Sequence, residues 1–170
     1  MLNSKFYHGS KTANIKQLEI MRFKRNPFGS AIYLTKEPIV ADCYHRDGGA
    51  IYEVEIKGNI QFTINLDVSF AEQSAEAKAA IIQSLKNLGL YEKKSGETNA
   101  RDYIHSHNTR DIVNGELVRN GVWMIYGHLD GMELSGLQDR GVQYAVIDSQ
   151  FTEIIRETNY REILARDEGY

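Results

Sequence analysis

Three short patterns in the chain combine side chains that could bind a ligand. Tyr7-His8-Gly9-Ser10 ends an apolar stretch, Tyr33 and Tyr44 stand eleven residues apart after a Pro27-Phe-Gly-Ser30 turn, and Gln143 opens a late apolar run. Histidine and serine exchange hydrogen bonds, tyrosine offers a rigid face for stacking, and glycine lets a ligand approach the backbone. Each pattern alone is more typical of an ordinary strand end, but together they predict a nucleotide pocket.

The order and spacing of these patterns resemble the ADP-ribosyltransferase superfamily, in the branch with poly(ADP-ribose) polymerases and many bacterial and phage toxins. Members typically carry aromatic-His-Gly-Ser, then Gly-x-Gly-Ile-Tyr-Phe with a second tyrosine on the next helix, and finally Glu-Tyr-Val-Val-Phe. The matching segments here are Tyr7–Ser10, Gly29-Ser-Ala-Ile-Tyr33 with Tyr44, and Gln143-Tyr-Ala-Val-Ile147. Gly127-His-Leu-Asp-Gly-Met132 also resembles the segment before the family's catalytic strand, so the resemblance covers residues 5–57 and 121–155.

The resemblance implies that NAD is the substrate and that its ADP-ribose is transferred to a macromolecule. His8 would bind the adenosine ribose, Gly9 and Ser10 would hold the nicotinamide amide, and Tyr33 and Tyr44 would sandwich the nicotinamide ring. Neutral nicotinamide leaves without a general acid, so the energetic cost lies in an oxocarbenium-like ribosyl cation. Catalysis then requires that the enzyme position the substrate and surround the developing cation with a matching electrostatic environment.

Gln143 stands where the family has a glutamate that binds the ribose and places negative charge near the cation. Glutamine keeps the hydrogen bond but has no charge. Asp139, or else Asp130 or Glu133, could supply the missing charge or activate the acceptor, and some toxin-like and phage members resemble this chain in lacking the glutamate. Alternatively, Gln143 limits the enzyme to transfer of a single ADP-ribose. The remaining alternatives are an inactive NAD- or protein-binding module and an NAD glycohydrolase.

Composition narrows the remaining function classes. The 170 residues, 42% hydrophobic and 25% charged, predict one domain over residues 1–170, and the net charge of −3 favours a protein acceptor over a nucleic acid. Cys43 is the single cysteine, which excludes an intrachain disulfide and a thiolate metal site. His105 and His107 do not share a helical face, so no metal is predicted.

The N-terminus lacks a signal-peptide pattern, and no apolar run reaches the roughly 20 residues that span a bilayer. We therefore predict a cytoplasmic protein, in its own cell or in a host, with no membrane association. The resemblance suggests a bacterial or phage effector, toxin or anti-defence protein.

The elements that must position these side chains follow from changes in hydrophobic period. Strands are predicted at Lys5–His8, Ala31–Thr35, Ala50–Ile56, Ile60–Leu66, Gly141–Ile147 and Phe151–Arg156. Helices are predicted at Lys36–His45, Ser69–Leu88, Ala100–His107, Thr109–Arg119 and Asn159–Arg166. The third and fourth strands flank a Lys57-Gly-Asn59 turn and are predicted to form an antiparallel pair.

Strands at both ends with helices between them predict an α+β fold in which the terminal strands share a sheet. The family resemblance implies more detail: two small, mostly antiparallel sheets around an NAD cleft, with flanking helices.

Overall fold

A computed structural model describes residues 5–22, 26–44, 48–105, 109–129 and 141–167. The strands in these ranges are β1 (Phe6–Ser10), β2 (Ile32–Leu34), β3 (Ala50–Ile56), β4 (Thr63–Asn65), β5 (Met124–His128), β6 (Val142–Val146) and β7 (Thr152–Thr158). The α-helices are α1 (Pro38–Asp42), α2 (Ala75–Asn87), α3 (Ala100–Ile104), α4 (Arg110–Arg119) and α5 (Tyr160–Asp167). Short 3₁₀ turns occupy Ile60–Phe62, Phe70–Glu72 and Ser149–Phe151. Asp139, His107, Asp130 and Glu133 lie outside the described residues.

The strands form two small, mostly antiparallel sheets, so the chain has an α+β architecture. One sheet has the order β1-β3-β7, and the other has the order β2-β6-β5-β4, in which only β4 and β5 run parallel. The first and last strands lie on either side of β3 in one sheet, as the sequence predicted. Tyr7 and Thr35 join the sheets through reciprocal backbone hydrogen bonds of 2.8 and 3.0 Å.

Alternation along the strands determines which side chains enter the core between the sheets. Phe6 of β1 is fully buried there against apolar side chains of β2 and β6, whereas Tyr7 packs on the opposite face with α1 and α5. His8 therefore shares the inter-sheet face with Phe6. On the second sheet, Ala145 packs towards α2, α3 and α4, and Gln143, two residues earlier, shares that face.

The predicted pairing of Ala50–Ile56 with Ile60–Leu66 is wrong. β3 belongs to the first sheet, whereas β4 begins only at Thr63 and pairs in parallel with β5 of the second sheet. The chain is redirected at Gly58, where an added Cβ would lie 2.0 Å from the Trp123 ring, and the Trp123 indole N–H donates to the Asn59 carbonyl at 2.8 Å. The Asn59 side chain also accepts from the Gln61 N–H, which starts a 3₁₀ turn instead of a hairpin.

Helix boundaries also differ from the sequence prediction. The segment Ser69–Leu88 contains a 3₁₀ turn and then α2, because the Ser74 hydroxyl caps a new helix by accepting from the Ala77 N–H at 3.0 Å. α1 begins at Pro38 instead of Lys36, since Thr35 is held in the bridge to Tyr7. The terminal helix agrees with the prediction to within a residue. Among the described helices, none has the length and apolar character needed to cross a bilayer.

Candidate functional site

A cleft of about 970 Å³ lies beside the β1–β2 junction. Its walls come from the end of β1, the loop of residues 11–21, the end of α1, β2 and one residue of β6. The structure brings together in this cleft every described residue that the sequence analysis selected for the site, namely His8, Gly9, Ser10, Tyr33, Tyr44 and Gln143. The position of the seventh, Asp139, is not described.

His8 is oriented by the neighbouring sheet. Its Nδ1 lies 2.8 Å from the carbonyl oxygen of Tyr33, and because a carbonyl only accepts, we assign the proton to Nδ1. Burial lowers the pKa of His8, although the hydrogen bond to Tyr33 opposes this effect. The ring is therefore neutral at pH 7, with a lone pair on Nε2 that can accept a hydrogen bond from a hydroxyl group.

The backbone of Gly9 faces the cleft, and a side chain at this position would point at α1. The N–H and C=O of Tyr7 bond to Thr35, and backbone groups two residues apart on an antiparallel strand point to the same edge. The Gly9 N–H and C=O therefore face that edge too. A Cβ on Gly9 would lie 1.9 Å from the Ala41 carbonyl oxygen. Thus close packing of α1, not only the approach of a ligand, requires glycine here.

Ser10 is the last residue of β1 and lines the cleft beside Gly9. Its Oγ accepts a hydrogen bond of 3.1 Å from the backbone N–H of Thr12. Ser10 therefore also positions the start of the 11–21 loop, in addition to the ligand contact that the resemblance implies.

Tyr33 and Tyr44, two of the three tyrosines that line the cleft, differ in burial and hydrogen bonding. The Tyr33 hydroxyl donates to the Gly29 carbonyl and accepts from the Phe28 N–H at 3.0 Å, and burial raises its pKa. Tyr33 is therefore a fixed, protonated wall. Tyr44 follows α1 and is 55% exposed, so a ligand could cover its ring. The sandwich of a ligand ring between these two side chains stays a prediction.

Gln143 is 6% exposed and lies opposite Gly127 of β5. An added Cβ at Gly127 would lie 3.0 Å from Oδ1 of Asp67 and 3.4 Å from Nη2 of Arg101. Asp67 and Arg101 therefore contact Gly127, the residue of β5 that faces Gln143. The absence of a side chain at Gly127 makes room for them.

The Asp67 carboxylate is held by two neighbours. It lies 2.8 Å from Nδ1 of His128 and 3.3 Å from Nη2 of Arg101, whose guanidinium also donates to the His128 carbonyl at 2.8 Å. Sequence analysis missed this cluster, because Asp67 follows β4 and reaches β5 only through the parallel pairing that was mispredicted. No local motif marks it.

The 11–21 loop is held against the first sheet by two residues that no sequence signal indicated. The Tyr52 hydroxyl donates to the Thr12 carbonyl at 2.8 Å and accepts from the Ile15 N–H at 3.1 Å. Glu157 of β7 accepts from the Asn14 N–H, and this hydrogen bond is the largest cause of its lowered pKa. The outer wall of the cleft is thus anchored by side chains from β3 and β7.

Comparisons with protein-family models, with curated proteins and with solved structures each found no match. In the described part of the chain, no group of three His, Cys, Asp or Glu side chains is arranged to hold a metal ion.

Proposed function

We propose that the protein is a mono-ADP-ribosyltransferase with the ADP-ribosyltransferase fold, which transfers ADP-ribose from NAD to a protein acceptor. One observation carries the proposal: side chains from β1, β2, the end of α1 and β6 converge in one cleft. These are the residues whose order along the chain resembles the family motifs. The volume of the cleft is near the upper end of the 300–1,000 Å³ range of ligand pockets, which suits a ligand as large as a dinucleotide.

The groups in the cleft complement the parts of NAD. The Gly9 N–H and C=O offer a donor and an acceptor side by side, as a primary carboxamide requires. The lone pair on His8 Nε2 suits a ribose hydroxyl, and the faces of Tyr33 and Tyr44 suit the flat pyridinium ring. The roles of His8, Gly9 and Tyr33 use groups whose protonation state or orientation follows from the contacts described above.

Transfer requires one bond to break and one to form. An acceptor nucleophile bonds to C1′ of the ribose, while the C1′–N bond breaks and its electron pair neutralises the nicotinamide nitrogen. The nucleophile gives its proton to a base or to water. The amide of Gln143 positions the ribose by hydrogen bonding, and its lack of charge restricts the enzyme to a single transfer.

A carboxylate near the developing cation would lower the barrier. Asp139 keeps this role from the sequence analysis, although it lies outside the described residues. Two described carboxylates are further candidates: Glu19, which lines the cleft, and Asp67, which contacts Gly127 opposite Gln143. Because Asp67 is paired with Arg101, its charge is already partly balanced.

The proposal is tested by incubating the full chain with NAD labelled in the adenylate half and with a cell lysate, then separating protein, nucleic acid and free nucleotide. We expect label on protein and release of nicotinamide, with both lost in Tyr33→Ala and Gln143→Ala. Tyr91→Ala is the matched control, since Tyr91 does not line the cleft. Label on nucleic acid would contradict the protein acceptor, free ADP-ribose alone would indicate a glycohydrolase, and intact NAD would refute the enzyme.

A second candidate is a non-catalytic NAD-binding or protein-binding module of the same fold. The neutral, buried amide of Gln143 favours it, because it leaves the family's charged position without a charge. This candidate predicts saturable NAD binding by calorimetry with no nicotinamide release. For the transferase we further propose a cytoplasmic role, in its own cell or in a host, as a bacterial or phage effector, toxin or anti-defence protein.

A further inference from the structure

A second cavity, of about 270 Å³, adjoins the cleft. Pro27 and Leu129 line both spaces. The other lining residues are Phe28, Arg101, His105 and Arg110. Two guanidinium groups and an imidazole therefore face one small space, and no carboxylate lines it among the described residues.

Arg110 Nε is buried in this cluster, and no acceptor within the described residues reaches it. His105 Nε2 and Asn114 Oδ1 are also buried without a hydrogen bond of ordinary geometry, but hydrogen bonding to the Asn114 side chain affects the pKa of His105, so Asn114 is the nearby acceptor for that imidazole. A buried polar group without a partner costs about 1–3 kcal/mol. Arginine can only donate, so the missing partner of Arg110 Nε is an acceptor from outside the described residues.

The cationic groups are held in place around the Phe28 ring. The Arg101 guanidinium carbon lies 5.5 Å from the ring centroid, and the His105 ring stacks on Phe28 with centroids 6.3 Å apart. Nη1 of Arg110 donates to the Pro27 carbonyl at 2.6 Å. Because these side chains are already positioned, a ligand would not have to order them.

The local field in the cavity is positive. Burial, followed by the nearby Arg110 charge, lowers the pKa of His105 to about 4. The positive charge that disfavours a protonated imidazole also favours a bound anion. Arg101 contributes less to this field, since Asp67 is its partner.

We propose that this second cavity binds a small oxyanion, the phosphate group being the best fit to its donors. Guanidinium groups bind phosphate oxygens through charge-assisted hydrogen bonds, and the cavity is smaller than the roughly 300 Å³ at which pockets for whole small molecules begin. The phosphate is either free or part of a larger ligand that also occupies the cleft. This inference goes beyond the proposed function and does not depend on NAD turnover.

The test is a titration of the full chain with inorganic phosphate, followed by NMR of the histidine rings. We expect a saturable shift of the His105 signals, which His105→Asn identifies. Arg110→Gln should weaken binding about tenfold or more, because a hydrogen bond to a charged group is worth about 1.5–3 kcal/mol. Arg119→Gln removes the same charge from the same helix at a side chain that is 78% exposed and paired with Glu116, and it should leave the affinity unchanged within about twofold.

A second arm identifies the source of the phosphate. If a nucleotide in the cleft supplies it, ADP-ribose will shift the His105 signals and compete with inorganic phosphate. If it comes from a separate molecule, phosphate will bind equally well to the ADP-ribose-saturated protein. Both results support the site.

The wild-type titration does not depend on how well a variant folds. If Arg110→Gln does not fold, Arg110→Lys takes its place in the test. This variant keeps the charge but removes Nε, and it should bind phosphate more weakly than wild type. The proposal is overturned if phosphate causes no saturable shift at His105, or if the Arg110 and Arg119 variants bind equally. Loss of NAD turnover alone would leave the phosphate titration unchanged, so the two proposals fail separately.

Discussion

Gln143 carries a neutral amide where the proposed reaction develops positive charge. We expect Gln143→Glu to raise the rate of nicotinamide release roughly 10- to 100-fold, because each 1.4 kcal/mol of cation stabilisation is worth about tenfold. A carboxyl at this buried position would have a raised pKa, so the gain should increase with pH. The measurement is nicotinamide release between about pH 6 and pH 9.

Gln17→Glu is the control for that substitution, since it adds the same charge to an exposed part of the cleft wall. It should change the rate less than about twofold because exposed charges are well screened. If Gln143→Glu releases nicotinamide no faster than wild type at any pH, charge at this position does not limit the reaction.

Tyr33 and Tyr44 should respond differently to removal of the hydroxyl. Tyr33→Phe leaves the Phe28 N–H and the Gly29 carbonyl without their partner, so we expect the free energy of unfolding in urea to fall by about 1–2 kcal/mol. Tyr44→Phe should change it by less than about 0.5 kcal/mol, because that side chain is exposed. Equal effects would mean that the hydroxyl of Tyr33 does not hold the 26–29 turn.

At the scale of elements, the contact between β1 and α1 shapes the cleft. A Cβ on Gly9 would meet the Ala41 carbonyl, so Gly9→Ala should displace α1 and lower the free energy of unfolding by about 1–3 kcal/mol. NAD binding should weaken as well, since Tyr44 follows this helix. Urea unfolding and calorimetry measure the two effects.

Gly115→Ala is the matched control for Gly9→Ala. Gly115 lies within α4, and nothing lies within 4 Å of its added Cβ. Alanine should therefore stabilise the helix by about 0.5–1 kcal/mol. A Gly9→Ala protein as stable as wild type would show that α1 can move without cost.

At the scale of the whole molecule, stability should fall in mild acid. The pKa of His105 is about 4 in the folded protein and 6.5 without the fold, so the unfolded chain binds a proton that the folded chain excludes. The stabilisation is complete above about pH 6.5 and is lost as the pH falls towards 4, with an upper limit of about 3 kcal/mol at 1.36 kcal/mol per pH unit. The lowered pKa of His8 acts in the same direction.

Urea unfolding at a series of pH values, in buffers without phosphate or sulfate, measures this dependence. His105→Gln should flatten it, leaving the smaller contribution of His8. His8→Gln is the comparison variant. If wild type and His105→Gln lose stability in parallel between about pH 6.5 and pH 4, His105 is not the group responsible.

The sequence by itself determined the parts of this protein that depend on local chemistry. Strand alternation and helical periodicity placed most elements within a few residues. A strand or helix that buries one face repeats its apolar residues with the period of that element. The motif residues that line the cleft could also be selected, since each lies in a short pattern such as His8-Gly9-Ser10. That selection relied on a family resemblance, and the roles of those residues stay predictions.

Only the tertiary structure decided which elements meet. The packing of Gly58 on Trp123 sends β4 to the second sheet, which brings Asp67 to Gly127 and His128 of β5. Phe28, His105 and Arg110 likewise form the second cavity although some eighty residues separate Phe28 from the others. Such contacts depend on the shapes of the side chains that meet and on competition between pairings across the whole chain. A local hydrophobic pattern carries no information about either.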